Sequence, residues 1–196
     1  MKTIEDRILK DGFIIDNDII KVDSFLNHQI DPTLLRDFAY GVKEEFADTR
    51  IDKVLTIETS GIAVAYAVCE ALGDVPLVFA KKSKSKTVDP NDVFLAEVRS
   101  FTRGNVAPVT VSKRFLHENE NVLIVDDFLA EGNASFGLLD LCKQAGAHVI
   151  GVAVVIEKSF QGGRKRLEEK GVHVFSGASI HAFCDNKPVF KKPTHF

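Results

Sequence analysis

The sequence predicts an α/β fold in which helices cover both faces of a central, mainly parallel, twisted sheet. Short apolar runs alternate with helical patterns through the middle of the chain. These runs are apolar at almost every position, as expected for parallel strands buried on both faces. The length of 196 residues, of which 45% are hydrophobic and 27% charged, suffices for a single domain over 1–196. In such folds, ligands bind beyond the carboxyl ends of the strands.

Two helices are predicted before the first core strand. Residues 3–11 form an amphipathic stretch of mixed charge. A second helix begins at Asp31-Pro32, where Asp caps and Pro occupies the first turn, and apolar side chains then recur at helical spacing up to Phe46. The segment KVDSFLNHQI between them has no clear period.

The core follows as alternating strands and helices. Apolar runs predict strands at 54–57, 76–80, 121–125 and 148–156, and helical patterns fill 61–72 and 133–145. Together they form the expected core, about 35–157.

An insert and the two chain ends fall outside this alternation. FLAEVRSF and VAPVTVS predict a two-stranded excursion behind the exposed basic loop KKSKSKTVDPND, and an insert at a strand end, about 83–118, is where a lid is expected. After residue 157 come a charged helix, RKRLEEK, a short strand, VHVFS, and a tail. We expect 1–34 and 158–196 to form a small hood over the core.

Charge and cysteine content exclude several classes of protein. With 25 Lys and Arg against 28 Asp and Glu, a net charge of −3 gives no overall attraction to nucleic acid or to an anionic membrane. The mixed-charge N-terminus is not expected to act as a signal peptide, and no apolar stretch reaches the roughly 18 residues that span a bilayer. Cys69, Cys142 and Cys184 lie far apart, so we expect reduced thiols in a cytoplasmic protein.

The histidines offer no recognisable chemistry. None has ligand spacing or a clear partner, and no metal site built from protein side chains is predicted. They are His28, His117, His148, His173, His181 and His195.

The most informative stretch is VLIVDDFLAEGNAS, residues 122–135. An apolar strand delivers Asp126 and Asp127 to its carboxyl end, and a turn containing Gly132 opens a helix. Backbone N–H groups of such a turn, with the positive end of the helix, bind anions. The carboxylates would repel a phosphate unless they bind ribose hydroxyls or a divalent cation. Receiver domains also carry paired acids at a strand end, but the glycine-containing loop directly after the pair argues against them.

A second loop of the same kind follows the first core strand. Glu58-Thr59-Ser60-Gly61 precedes a helix, so its amides point where another anion could sit. The alternative is an ordinary turn in which Ser60 caps the helix. Lys81 and Lys82 end the next strand and begin a charge run that could equally be a solvated loop.

Residues 122–135 resemble the PRPP-binding signature of the type I phosphoribosyltransferases. KVDSFLNHQIDP, TIETSGIA, VFAKK, DDFLAEGNA and IEKSFQGGR extend the resemblance, over essentially the whole chain, to the bacterial xanthine-using members of that family. The resemblance implies the type I phosphoribosyltransferase fold and a purine-salvage transfer from PRPP to xanthine that yields xanthosine 5′-monophosphate and pyrophosphate. It also implies Mg²⁺ bound mainly through PRPP and pyrophosphate, a homodimer, and a cytoplasmic location.

The resemblance assigns roles to individual residues. Asp126 and Asp127 are the implied catalytic acids. The implied PRPP-binding residues are Ala130, Glu131, Gly132, Asn133, Ala134 and Ser135. The implied pyrophosphate-binding residues are Glu58, Thr59, Ser60, Gly61 and Lys81, and the implied xanthine-binding residues are Ile20, Asn27, Lys158 and Phe160. Hydroxyl residues are usual where this chain has Glu131 and Ala134, so backbone amides and Ser135 are the expected phosphate donors.

The choice of base stays open between related purines. The Lys158 ammonium has three donors and no acceptor, which suits any 6-oxopurine and opposes adenine. Guanine or hypoxanthine is therefore the alternative substrate, because the group that reads position 2 of the base is not visible in the sequence. A PRPP- or nucleotide-sensing regulator of the same fold is the other alternative, although the chain has neither spare length nor a helix-turn-helix for DNA.

Overall fold

The computed structural model describes residues 1–82, 89–99 and 106–190. Most of the predicted basic loop and the end of the tail, including His195, lie outside those residues. In chain order the strands are β1 (Phe13–Ile15), β2 (Ile19–Lys21), β3 (Lys53–Ile57), β4 (Leu77–Ala80), β5 (Val93–Arg99), β6 (Val106–Ser112), β7 (Asn121–Leu129), β8 (His148–Lys158), β9 (Val174–Cys184) and β10 (Lys187–Phe190). The α-helices are α1 (Lys2–Asp11), α2 (Pro32–Glu45), α3 (Gly61–Ala71), α4 (Asn133–Ala145) and α5 (Gly163–Glu168).

The central sheet has six strands in the order β10-β9-β8-β7-β3-β4. All neighbours are parallel except β9 and β10, which form an antiparallel hairpin at one edge. β3 is buried along its whole length, as its apolar sequence predicts. The predicted α/β class is confirmed.

Two apolar layers cover the sheet. Side chains from α1, α2 and α3 pack with Val54, Leu123 and Val155 on one face. Side chains from α4 and the β5–β6 hairpin pack with Leu55 and Ile124 on the other. Alternate residues of each strand therefore enter different layers, which fixes where the strand ends and their loops lie.

The helix starts and ends follow local chemistry. The carboxylate of Asp31 accepts from the amides of Thr33 (2.9 Å) and Leu34 (3.2 Å), which confirms the predicted cap of α2. α4 begins after Gly132 (φ 85°) and ends at Gly146 (φ 74°), both in the left-handed region that favours glycine.

The described part of the predicted insert belongs to the core. Ala96, Val98, Val109 and Val111 of the β5–β6 hairpin are buried in the layer formed with α4. Lys81, after β4, pairs through its backbone with Thr110 of β6. A closing movement of the insert stays a prediction, because 83–88 and 100–105 lie outside the described residues.

The two segments predicted to form a hood, 1–34 and 158–196, contain two hairpins that the sequence analysis missed, and the second hairpin, β9–β10, belongs to the central sheet. β1 and β2 turn at Asp16-Asn17, and β9 and β10 turn at Asp185-Asn186, all four residues having φ between 49° and 54°. Asp-Asn at such positions is a recognised signal for tight hairpin turns. The predicted short strand at 172–176 is wrong in extent, since β9 continues to Cys184.

The cysteines are unpaired. Burial raises the pKa of the Cys69 and Cys142 thiols to about 12, whereas Cys184 is exposed. None of the described helices is long and apolar enough to cross a membrane.

Candidate active site

A cleft of about 1090 Å³ lies where the carboxyl ends of β3, β7 and β8 meet. The loop after β3 and the loop after β7 form one side of it. Asp18, Ile19, Ile20 and Lys158 form another, and Val98, Ala107 and Val109 of the insert hairpin also line it. The cleft thus joins both predicted anion loops with part of the predicted base site.

The two acids lie within β7, which continues beyond the predicted strand 121–125 to Leu129. The Asp126 Oδ1 accepts from the Asp127 amide at 3.0 Å, and the Asp127 Oδ1 accepts from the Phe128 amide at 2.9 Å. Burial, and then the negative charge of Asp127, raise the pKa of Asp126 well above its usual range. Burial also raises the pKa of Asp127. Burial thus disfavours the ionised form of both acids, and a hydroxyl donor or a cation bound beside them would favour that form.

The loop after β7 turns its backbone around the start of α4. Gly132, Asn133 and Ala134 line the cleft, and Ser135 is only 2% exposed within it. Within the described residues the Glu131 and Gly132 amides have no hydrogen-bond acceptor. Free amides at a helix start suit a phosphate.

The loop after β3 lies against the acid pair. A Cβ at Gly61 would stand 2.3 Å from Thr56 Oγ1 and 2.7 Å from Asp126 Oδ1, so no side chain fits there. Ser60 precedes α3 but makes no side-chain capping bond, unlike the alternative considered for this turn. Ser60 lines the cleft, so its hydroxyl is available to a ligand bound there.

Lys82, rather than Lys81, lines the cleft. The Lys82 amide donates to the Glu58 carboxylate, which folds this acid back onto the end of β4. Lys81 is held by its backbone bonds to Thr110, of 2.9 and 3.0 Å, and its ammonium lies 6.0 Å from the centroid of the Phe79 ring. Its pyrophosphate-binding role stays a prediction.

The base side is assembled from distant parts of the chain. The Lys158 ammonium donates to the Asp18 carbonyl oxygen at 3.0 Å, 140 residues away in sequence. Burial lowers the pKa of Lys158, and the nearby Asp18 carboxylate opposes this shift. Ile20 also lines the cleft, as predicted.

Asn27 and Phe160 lie apart from this lining. Asn27 ends a π-helical turn, Asp23–Asn27, and is exposed. Phe160 packs edge-to-face on Phe183, with ring centroids 5.5 Å apart. Their contacts with a base stay predictions.

Two sets of cleft and supporting residues were missed. Asp18 and Ile19 enter through the β1–β2 turn, for which the DN dipeptide was the available signal. Arg164 forms a bidentate ion pair with the buried Glu157, at 2.7 and 2.8 Å. Glu157 precedes Lys158 in sequence, and no local sequence pattern predicts this ion pair.

The polar groups provide limited support for a metal. Across 1–82, 89–99 and 106–190, no group of three His, Cys, Asp or Glu side chains is arranged to hold one. Asp126 and Asp127 supply two carboxylates, which fits a Mg²⁺ that takes most of its oxygen ligands from a substrate and water. His173, expected to lack a partner, lies 2.7 Å from a Glu45 carboxylate oxygen at the surface, away from the cleft lining.

Comparison with known families matches the phosphoribosyl transferase domain over residues 21–185. The chain belongs to the phosphoribosyltransferase family. Among curated relatives, xanthine phosphoribosyltransferase of Laribacter hongkongensis is 50% identical over 190 residues, which cover 97% of this chain and 100% of the relative. The enzyme of the same name from Finegoldia magna is 47% identical over 97% of this chain and 100% of its own.

Solved phosphoribosyltransferases share the fold. Adenine phosphoribosyltransferase of Giardia lamblia, complexed with 9-deazaadenine, superposes with a TM-score of 0.76 at 24% identity, over 91% of this chain and 98% of its own. The Rhodothermus marinus enzyme gives 0.73 at 23% identity, over 92% and 100%. At such low identity the likeness concerns the fold alone, and it confirms the predicted type I phosphoribosyltransferase fold.

Proposed function

We propose that this chain transfers the 5-phosphoribosyl group of PRPP to xanthine, forming xanthosine 5′-monophosphate and pyrophosphate. The observation that carries the proposal is a single cleft in which two anion-ready loops flank a carboxylate pair, opposite a buried lysine. Identity near 50% over almost the whole length of proteins named xanthine phosphoribosyltransferase supports the base.

The phosphate groups of PRPP occupy the two loops. The loop after β7 receives the 5′-phosphate through backbone amides and Ser135, because its Glu131 and Ala134 offer no hydroxyl. The loop after β3, with the Lys82 ammonium beside it, receives pyrophosphate. The 5′-phosphate therefore meets N–H groups and a hydroxyl at one end of the ribose, and pyrophosphate meets N–H groups and a cation at the other.

The acid pair lies between these loops. Carboxylates accept hydrogen bonds from the ribose hydroxyls, and their negative potential favours positive charge developing at C1′. The C1′–O bond to pyrophosphate breaks with its electron pair leaving on pyrophosphate, N9 of xanthine bonds to C1′, and the proton of the base passes to solvent water. No nucleophilic side chain is required.

Mg²⁺ is the proposed cofactor. When bound to PRPP it neutralises the leaving pyrophosphate. Asp126 and Asp127, two adjacent acids in the cleft lining, would add carboxylate ligands to it or orient its water.

Lys158 is proposed to select the base. Its donors match the oxygen at position 6, and its positive charge favours xanthine further, because xanthine loses a proton more readily than other natural purines. An adenine amino group would leave the donors of Lys158 unpaired.

The test is a competition assay with PRPP and equal concentrations of xanthine, guanine, hypoxanthine and adenine. Xanthine should give the highest kcat/KM, and adenine the lowest. Preference for guanine or hypoxanthine would overturn the base assignment and keep the transfer, whereas binding of PRPP without turnover of any base would favour a sensing protein.

A cytoplasmic homodimer is also proposed from the family. Light scattering of the purified chain should give twice the monomer mass of 21.6 kDa. A fully active monomer would overturn the dimer.

A further inference from the structure

The first turn of α5 makes hydrogen bonds to the loop after β7, which is the proposed 5′-phosphate loop. The Gly163 amide donates to the Ala130 carbonyl oxygen at 3.0 Å. The Arg166 Nη1 donates to the next carbonyl, that of Glu131, at 2.8 Å. Two successive carbonyl groups of the loop are thus fixed by one short helix.

These bonds decide where the loop amides point. In a trans peptide unit the C=O and the N–H of the following residue point in opposite directions. Fixing the Ala130 and Glu131 carbonyls towards α5 therefore turns the Glu131 and Gly132 N–H groups away from α5. Both residues line the cleft on that opposite side, and both amides have no acceptor among the described residues.

The contact between α5 and the loop is close. A Cβ at Gly163 would lie 2.3 Å from the Ala130 oxygen and 3.0 Å from the Gly132 nitrogen. The Arg166 guanidinium lies 4.6 Å from the centroid of the Phe136 ring of α4, and this contact restricts the conformations of the Arg166 side chain. Position 163 therefore has room only for glycine, and position 166 requires a long side chain with a donor directed at the Glu131 carbonyl.

Arg164 ties the same turn of α5 to two strands of the central sheet. Arg164 pairs with Glu157 and donates to the Val174 carbonyl at 2.7 Å. Burial raises the pKa of Glu157, but the hydrogen bonds from Arg164 and Ser176 outweigh it and hold the pKa below its usual range. The helix is therefore fixed to β8 and β9 of the sheet.

We infer that Gly163 and Arg166 are positioning residues for the 5′-phosphate, because they orient the Glu131 and Gly132 amides that bind it. The inference rests on the proposed function for the identity of the anion. Neither residue lines the cleft, so their effect passes through the two carbonyl groups.

The experiment uses ribose 5-phosphate, which contains the 5′-phosphate but neither pyrophosphate nor base. Calorimetry on the full chain should give a Kd for Arg166→Ala about five- to tenfold above wild type, since one donor to the loop is lost. Arg166→Lys keeps a donor and should recover most of the affinity. Gly163→Ala should weaken binding at least as much as Arg166→Ala.

Lys165→Ala is the matched control. Its side chain is 82% exposed and pairs only with Glu169, the residue that follows α5, at 3.9 Å, among the described residues. We expect its Kd within twofold of wild type. In steady-state assays Arg166→Ala should raise KM for PRPP and leave KM for the purine within twofold, a split that a general loss of stability would not produce.

Two results separate the inference from the proposed function. Wild type that binds ribose 5-phosphate, with Arg166→Ala binding it equally well, would overturn the inference alone. Wild type that fails to bind ribose 5-phosphate would overturn the phosphate site and the inference together. The result does not depend on which purine is the substrate.

Discussion

The phosphate side and the base side of the cleft are built from contacts of very different range along the chain. Each phosphate loop follows its own strand and opens its own helix within a few residues. The base side depends on Lys158 reaching Asp18, 140 residues away, and on Asn17 and Asn186, 169 residues apart. Short-range chemistry thus fixes anion binding, whereas base recognition requires the finished fold.

The largest effect is expected on the phosphate side, at Gly61, where the loop after β3 packs against Asp126. Gly61→Ala places a Cβ within 2.7 Å of both Thr56 Oγ1 and Asp126 Oδ1, so the loop or the acid must move. Since a displacement of about 1 Å can cost on the order of 100-fold, we expect kcat/KM to fall by about that factor. Thermal unfolding checks that the variant folds. A folded variant with normal turnover would show that the close packing of Gly61 against Thr56 and Asp126 does not position the site.

Replacing either acid of the pair should lower the activity of the protein without unfolding it. Asp126→Asn and Asp127→Asn each replace a charged acceptor for the ribose, worth about 1.5–3 kcal/mol, so kcat/KM should fall roughly 10- to 100-fold. Normal turnover with lowered melting temperature would instead mean that the acids are structural.

The same variants should reveal the cost of keeping the acids buried. Because burial raises the pKa of Asp126 in the folded chain, the folded state binds its proton more tightly than the unfolded state does. Stability is then greatest below the unfolded pKa, about 4, and falls as pH rises towards the folded pKa. Asp126→Asn should therefore melt above wild type at neutral pH, with the difference shrinking near pH 4, and a difference independent of pH would contradict this account.

The contrast in range explains what could be predicted from the sequence. The core strands and helices, the acid pair and both loops were predictable because each lies within one continuous pattern. The β1–β2 and β9–β10 hairpins were missed because β1, β2 and β10 have only three or four residues each, too few to show a period, although Asp16-Asn17 and Asp185-Asn186 marked the turns. The contacts of Arg166 with Glu131 and of Arg164 with Glu157 join side chains to partners that no spacing identifies.

A change confined to the base side should leave PRPP binding intact. Lys158→Ala removes the donors proposed to read position 6, a loss of about 1–3 kcal/mol, so KM for xanthine should rise roughly tenfold and the preference over adenine should narrow. KM for PRPP should stay within twofold. Equal rises in both KM values would show that the two sides are not separable.

The smallest effect is expected where the two hairpin turns meet, farther from the reacting atoms. The Asn17 amide donates to the Asn186 Oδ1 at 3.2 Å, and the Asn186 amide donates to the Asn17 Oδ1 at 2.8 Å, which ties the turn carrying Asp18 to the edge of the sheet. Asn186→Gly keeps the positive φ and removes one of these exposed bonds, so we expect KM for xanthine to rise about threefold, with kcat and KM for PRPP nearly unchanged. Asp185→Gly, which softens the same turn but leaves both bonds in place, is the control. If the two variants behave alike, turn flexibility alone is responsible; a rise for Asn186→Gly only would establish that the reciprocal bonds hold the base side together.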